Sequence, residues 1–141
     1  MFKTYKGKFT PKNPEKYMGD PRNIIYRSSW ELKFMVRLDE DRNITRWASE
    51  EFQIPYFDPT TNRTRRYFPD FYVENNRGDK FVFEIKPDAQ TRAPANKSRQ
   101  TKRYLTEVST FLINKAKWAA AEKFCEERGW VFKIVTERDL F

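Results

Sequence analysis

Glu84 and Lys86 stand two residues apart in an otherwise apolar run, residues 81–86, with the sequence FVFEIK. Because successive side chains of a strand point to opposite faces, the carboxylate and the ammonium would share one face. Inside a central strand both groups would lose solvation, which is costly unless they find partners. A solvated pair on an edge strand, or an ordinary salt bridge, fits the same two residues. The spacing alone decides little, since Glu31-Leu32-Lys33 repeats it on a predicted helix.

A second candidate, Asp70, lies in a predicted strand over residues 65–73 that is rich in aromatic side chains. The next strand, 80–86, is predicted to be its hairpin neighbour, and 13 residues separate Asp70 from Glu84. This spacing places the two carboxylates at one level, where they would repel each other unless a divalent cation joins them. The alternative is that Asp70 caps a turn after Pro69.

A third candidate, Glu31, interrupts the apolar stripe of a helix predicted from Ser28 to about Asp41. Ser28-Ser29-Trp30-Glu31 matches the S-x-x-E capping box, in which the glutamate accepts the backbone N–H of the cap residue. Capping and catalysis are equally open for this side chain. The stripe that it interrupts consists of Trp30, Phe34, Met35 and Leu38.

The composition removes several kinds of chemistry. The chain has 141 residues, no histidine and one cysteine, Cys125. Nucleophile systems that need histidine are therefore excluded, as are zinc sites rich in histidine or cysteine. An enzyme with this composition must work with carboxylates, lysines and a hard, oxygen-bound metal such as Mg²⁺. We interpret Cys125 as a small buried hydrophobe.

The charge balance indicates a polyanionic partner. Lysine and arginine number 28 against 20 acidic residues, which gives a net charge of +8, and such a surplus favours nucleic acid or an anionic membrane surface. No apolar run approaches the ~20 residues of a membrane span, and no apolar segment near Met1 resembles a signal peptide, so we expect a soluble, intracellular or particle-borne chain with no membrane partner.

Basic residues cluster after the candidate site, where they would bind DNA phosphates or form a merely solvated surface. These DNA-binding candidates are Arg92, Lys97, Arg99, Lys102, Arg103, Lys115 and Lys117.

The length is that of about one domain, and the pattern divides it into two parts. Residues 1–27 read as a basic N-terminal arm, ordered in part by Phe2, Tyr5, Phe9 and Tyr17. In residues 28–141 the helix from Ser28 is followed by a predicted three-strand meander over 52–56, 65–73 and 80–86, and then by a loop. A helix begins near Thr101, breaks or bends near Asn114 and stops at Arg128-Gly129, and an apolar strand, Trp130 to Val135, is expected inside the sheet. The fold class is therefore α/β, with a mixed β-sheet flanked by helices.

Glu31, Pro69-Asp70 and Glu84-Ile85-Lys86 together resemble the PD-(D/E)xK nuclease superfamily. The longer segments that surround them are similar to its TnsA-like endonuclease branch. With the start MFKTYKG, nearly the whole chain is similar to the head completion nucleases of large tailed bacteriophages. The segments that carry this resemblance are YRSSWE at 26–31, RYFPDF at 66–71, EIKP at 84–87, NKAKW at 114–118 and RGWVF at 128–132.

The resemblance implies a restriction-endonuclease-like core in residues 28–141 and a metal-dependent DNA endonuclease. Asp70, Glu84 and the backbone carbonyl of Ile85 would bind Mg²⁺ or Mn²⁺, with Glu31 reaching the metal directly or through water. Lys86 would orient the attacking water or stabilise charge on the phosphate. Asp70, Glu84, Lys86 and Glu31 are thus the implied catalytic residues.

The same resemblance implies a role on double-stranded DNA late in phage head assembly, after packaging and before tail attachment. The partners would be capsid, portal or other head-completion proteins, and the location the virion and the host cytoplasm during assembly. The oligomeric state stays open. Two alternatives remain: a structural head-completion or DNA-end-binding protein with little nuclease activity, and the endonuclease subunit of a TnsA-like transposase.

Overall fold

The computed structural model describes residues 4–141, with side-chain environments from Lys6 onward. Phe2 of the predicted arm lies outside the described residues, as does the side chain of Tyr5. Residues 4–141 form eight strands and three α-helices: β1 (Thr4–Phe9), β2 (Ile24–Ser28), α1 (Ser29–Glu40), β3 (Ile44–Ser49), β4 (Ile54–Asp58), β5 (Arg63–Tyr67), β6 (Phe71–Asn75), β7 (Lys80–Ile85), α2 (Lys102–Arg128), β8 (Val131–Val135) and α3 (Glu137–Leu140).

The main sheet has four strands in the order β3-β6-β7-β8. The first two pairs are antiparallel and the pair β7–β8 is parallel, joined by α2 as the crossover. Two further hairpins, β1–β2 and β4–β5, form sheets of their own. The predicted α/β fold with a mixed sheet flanked by helices is confirmed, and β7 is an interior strand as its apolar sequence indicates.

The predicted meander is wrong because the strand over 65–73 is two strands. β5 ends at Tyr67 and pairs with β4, whereas β6 begins at Phe71 and belongs to the main sheet. Pro69 separates them, since proline lacks a backbone N–H for the ladder and restricts the residue before it. The sequence analysis also missed β3. Its register against β6 is irregular, so its side chains lack the regular alternation by which a strand is predicted.

Two more expectations concern α2 and β8. α2 is one continuous helix through Asn114, so the break predicted there as one alternative is absent, and the helix ends as predicted with Gly129 in the left-handed conformation at φ 72°. β8 is an edge strand rather than an inner one, and Val131 at its start is 52% exposed. None of the helices within residues 4–141 is long and apolar enough to cross a membrane.

Each face of the main sheet has its own apolar layer. On one face the buried residues Trp47 and Phe71 of the sheet pack with Met35 of α1 and with Phe9 and Ile24 of the N-terminal hairpin. On the other face Tyr72 and Val82 pack with Cys125 of α2, and the β4–β5 hairpin packs against the same helix. Cys125 is buried as predicted, and burial raises the pKa of its thiol to about 11.

The basic N-terminal segment holds the C-terminal end of α1. The ammonium of Lys16 donates to the carbonyls of Leu38, Asp39 and Asp41 at 2.7, 2.8 and 2.9 Å, respectively. The carboxylate of Asp39 accepts the backbone N–H groups of Lys12 and Asn13 at 2.8 and 3.0 Å. A cation at this end of a helix binds carbonyls that lack an intrahelical partner and interacts favourably with the helix dipole. This part of the N-terminal segment is therefore bound to α1.

Candidate active site

The bend between β5 and β6 places Asp70 at one end of the main sheet. Phe71 pairs with Phe83 across β6 and β7, so Asp70 and Glu84 continue the ladder at the same level, as their spacing predicts. The backbone N–H of Ile85 donates to Oδ2 of Asp70 at 2.8 Å. The side chain of Asp70 thus contacts the end of β7 next to Glu84, and Asp70 lies before the strand β6 and not within it.

Glu84 is buried on the interior strand β7 and is partnered from two sides. The hydroxyl of Tyr67 donates to Oε1 at 2.6 Å, and Nζ of Lys86 lies 3.7 Å from Oε2. Tyr67 reaches the site from the separate β4–β5 hairpin and packs against α2. Lys86 continues the ladder by donating its N–H to Val135 at 2.9 Å. The predicted face shared by Glu84 and Lys86 is thus present, with a tyrosine added.

Burial raises the pKa of Asp70 well above the usual range for aspartate, and the carboxylates of Glu84 and Glu31 raise it further. The N–H of Ile85 and the ammonium of Lys86 act in the opposite direction. Burial also raises the pKa of Glu84, against the opposing effects of Lys86, Tyr67 and Lys117. Without a cation the pair favours holding a proton, because two close carboxylates resist simultaneous ionisation.

Glu31 makes the contacts of a helix cap and also interacts electrostatically with the carboxylate of Glu84. Oγ of Ser28 accepts the Glu31 N–H at 3.1 Å, and Oε1 of Glu31 accepts the N–H of Arg27 at 3.2 Å, one residue before the expected partner. Burial raises the pKa of Glu31, the Arg27 hydrogen bond opposes this, and Glu50 and Glu84 raise it further. The helix start therefore brings Glu31 close enough to interact electrostatically with Glu84.

Three residues at the site were missed by sequence reasoning. Tyr67 carried a usable signal, since it is the one aromatic residue of β5 (RTRRY) and lies two residues before the Pro69 break. Glu50 and Arg27 carried none. Glu50 has φ 54°, its N–H donates to the carbonyl of Asp70 at 3.2 Å, and its carboxylate lies 3.1 Å from Nε of Arg27.

The predicted basic residues fall into three groups: one lies near the site, some already contact a partner, and the rest are exposed. Nζ of Lys117 lies 5.6 Å from the ring centroid of Tyr67 and acts electrostatically on Glu84. Arg92 is 2.9 Å from Asp88 and Arg103 is 3.3 Å from Glu107, both as exposed pairs, and the ammonium of Lys97 sits over the ring of Tyr104 at 5.9 Å. The other predicted cations are solvent-exposed: Arg99, Lys102 and Lys115.

The donor set of the site fits a hard cation with few protein ligands. Within residues 4–141 no three side chains of His, Cys, Asp or Glu converge into a ready-made metal cluster. Glu84 supplies a buried carboxylate and Asp70 a half-buried one, and a dication between them would relieve their repulsion. Mg²⁺ suits such a set, because it keeps several waters and is often bound through one or two carboxylates.

Comparison with known proteins agrees with this geometry. Residues 41–137 match the model of the TnsA-like endonuclease N-terminal domain, a segment that includes β3 to β8 and the residues Asp70, Glu84 and Lys86. The chain belongs to the TnsA-like endonuclease family. It is also 42% identical over 140 residues to the head completion nuclease of Enterobacteria phage T4, covering 96% of this chain and 93% of that protein.

Membership of the TnsA-like family confirms the predicted restriction-endonuclease-like core and supports a nuclease role. The family segment begins at residue 41 and so leaves out α1 with Glu31. The similarity to the phage relative extends over nearly the whole chain. The roles of the individual site residues, and the division of the chain at residue 27, stay predictions.

The raised carboxylate pKa values give a testable dependence of stability on pH. The folded protein holds protons on Asp70 and Glu84 that the unfolded chain has already released, so stability without metal falls as pH rises through the raised values. Asp70→Asn should raise the metal-free melting temperature at neutral pH and flatten this decline. Calorimetric melting in chelator between pH 4 and about pH 8 measures both effects.

Asp88→Asn is the control of opposite sign, because the hydrogen bond from Arg92 lowers the pKa of the exposed Asp88. That variant should lose stability at neutral pH and be unaffected in acid. An Asp70→Asn protein that melts below wild type at neutral pH would show that Asp70 is a structural ion-pair partner.

Proposed function

We propose that the chain is a Mg²⁺-dependent DNA endonuclease of the phage head, acting on DNA during head completion, after packaging and before tail attachment. The observation that carries the proposal is the meeting of Asp70, Glu84 and Lys86 at one end of the interior strand β7. Family membership supports the endonuclease class, and the name of the phage relative supports the place in assembly.

Asp70, Glu84 and the carbonyl of Ile85 would hold Mg²⁺ or Mn²⁺. Such an ion offsets charge on the scissile phosphate and lowers the pKa of bound water. Lys86 would orient the attacking water or stabilise charge on the phosphate, since its ammonium lies 3.7 Å from Glu84 and a point cation stabilises developing phosphate charge. Tyr67 holds Oε1 of Glu84 by its hydrogen bond of 2.6 Å, and the second oxygen, Oε2, lies 3.7 Å from the ammonium of Lys86.

Glu31 would assist from the start of α1, with its side chain shared between the helix cap and the metal site. The proximity of Glu31 to the Asp70–Glu84 pair supports this role, because the charge of Glu31 raises the pKa of Asp70 and the charge of Glu84 raises the pKa of Glu31. A dication at Asp70 and Glu84 would relieve this repulsion too.

The DNA-binding surface would lie at the start of α2 and in the loop before it. α2 has 27 residues and is therefore about 40 Å long, whereas the six residues of β7 span about 20 Å. Residues 113–125 of the helix supply the apolar contacts to β4, β5 and the main sheet. Since α2 runs back from the site end of β7 to the start of β8, its first turns, which are mostly exposed apart from Tyr104, would project beyond the site.

Phosphate contacts from these projecting turns would hold double-stranded DNA beside the metal with little sequence preference. The remaining parts of the proposal are the partners and the location. The protein would meet capsid, portal or other head-completion proteins, and it would occur in the virion and in the host cytoplasm during assembly.

Lys86→Ala should reduce metal-dependent nicking of plasmid DNA by about 10²-fold or more, the scale seen when a charge-stabilising group is removed. Asp70→Asn and Glu84→Gln should abolish it. Lys33→Ala is the matched control, because Glu31-Leu32-Lys33 on α1 repeats the spacing of Glu84-Ile85-Lys86. The ammonium of Lys33 lies over the ring of Phe141. Wild-type protein that binds DNA but never nicks it with Mg²⁺ or Mn²⁺ would favour a DNA-end-binding protein instead.

Glu31→Gln and Ser28→Ala separate catalysis from capping. Glutamine can still accept the Arg27 N–H, so Glu31→Gln should melt within about 1 kcal/mol of wild type yet lose most cleavage. Ser28→Ala should cost about 1 kcal/mol of stability and keep its activity. Melting and plasmid nicking under identical Mg²⁺ and salt decide between them. Full activity in a folded Glu31→Gln protein would reduce this residue to a cap.

Replacing Arg99, Lys102 and Arg103 together by glutamine should flatten the linear fall of log affinity with log salt, because each lost phosphate contact removes about one unit of slope. Arg42, Arg46 and Arg77 provide a control triple, since they are exposed and lie near the opposite end of β3 and β6. Fluorescence anisotropy with a short duplex measures both slopes. Equal slopes for the two triples would exclude the start of α2 as the DNA-binding surface.

A further inference from the structure

A cleft of about 360 Å³ opens directly beside the carboxylate site. Its wall is formed by Tyr17 and Asn23 of the N-terminal segment, Arg27 of β2, Glu50 and Glu51 after β3, and Phe68 before Asp70. A volume of this size is typical of a small-molecule site and far too small for a double helix. No role in the proposed cleavage uses this cleft.

Two backbone connections join the cleft to the site. Phe68 is separated from Asp70 by Pro69 alone, and the N–H of Glu50 donates to the carbonyl of Asp70 at 3.2 Å. Arg27 forms a third link, because its N–H donates to Glu31 while its guanidinium contacts Glu50. A strand whose phosphate lies at Asp70 would therefore have its adjacent nucleotide next to the cleft.

The polar groups of the cleft suit a nucleobase better than a phosphate. Its two carboxylates are already engaged, Glu50 by Arg27 at 3.1 Å and Glu51 by the hydroxyl of Tyr17 at 2.8 Å. They would repel a phosphate, but their remaining lone pairs can accept the amino and ring N–H groups of a base. The exposed amide of Asn23 offers both a donor and an acceptor.

Phe68 supplies the apolar surface that a base requires. Its side chain is 46% exposed at the lip of the cleft, while the neighbouring Tyr67 and Pro69 are buried. The chain thus turns an aromatic ring to solvent within two residues of a catalytic candidate. Stacking of a base on such a ring contributes to binding whatever the base, because every base has a π-face.

We infer that this cleft binds one unpaired nucleobase of the DNA strand that is cut, stacked on Phe68 and next to the scissile phosphate. The inference rests on the proposed function and names its substrate class: DNA with an unpaired nucleotide at the point of cleavage, such as a frayed or single-stranded end. Drawing a base out of a duplex costs the free energy of pairing and stacking, and the cost is least for a base that is already unpaired. The cleft therefore favours DNA ends over the interior of a duplex.

The test uses short oligonucleotides that carry 2-aminopurine, an amino-bearing fluorescent base, either in a single-stranded overhang or paired inside a blunt duplex. Binding is measured without divalent cation, so that no cleavage is needed for the signal. We expect wild type to quench the overhang probe strongly and the paired probe weakly. Phe68→Ala should bind the overhang probe about tenfold more weakly and lose the quenching, and Phe68→Trp should restore both.

Phe57→Ala is the matched control, because Phe57 is 54% exposed on β4 and does not line the cleft. It should bind and quench as wild type does. The inference is overturned if Phe68→Ala retains wild-type quenching, if Phe57→Ala loses as much, or if wild type treats the two probes alike. Plasmid nicking with Mg²⁺ is measured separately: nicking without quenching overturns the cleft alone, and quenching without nicking overturns the proposed endonuclease alone.

Discussion

A pair of carboxylates at the end of an interior strand sets the main constraint on this fold. Asp70 and Glu84 lie at one level of the β6–β7 hairpin, burial raises the pKa values of both, and the charge of Glu84 raises that of Asp70 further. Isolated charges in such a place are costly, and the surroundings supply partial compensation from three separate elements. Tyr67 comes from β5, Lys86 from the end of β7 and Lys117 from α2. The two hairpins and the crossover helix thus each contribute a group that stabilises the same pair of carboxylates.

The sequence predicted this pair because hairpin register depends only on local spacing. The 13 residues between Asp70 and Glu84 place the two carboxylates opposite each other in the hairpin, independently of how the other strands pair. What surrounds the pair depends on long-range packing, and there the sequence reading failed. It merged β5 with β6 across Pro69 and placed β8 inside the sheet. The hairpin turn predicted between the first two strands is present as β4–β5, but its separation from the main sheet was missed, and with it the position from which Tyr67 holds Glu84.

Glu31 shows why one residue type can satisfy two readings of the same local pattern. The capping contacts of Ser28 and Glu31 predicted from S-x-x-E are present, with the carboxylate bound one residue earlier at Arg27. The same contacts fix the start of α1 at the site end of the molecule. The far end of α1 is fixed independently, by Lys16 on its last carbonyls and by Asp39 on the segment before β2. An anchored helix can hold its first turn against a charged site, so capping and participation in the site are compatible.

Glu50 joins the carboxylate site to the cleft through strained backbone. A non-glycine residue at φ 54° stores of order 1–3 kcal/mol, which the surrounding contacts must offset. Those contacts are the hydrogen bond from its N–H to Asp70 and the ion pair with Arg27, whose own N–H binds Glu31. A ligand that displaced Arg27 from Glu50 would weaken one of the two supports for this conformation. The position of the Asp70 carbonyl therefore depends on Glu50, which also lines the cleft, so that a base bound there as we infer would act on the carboxylate site through this one residue.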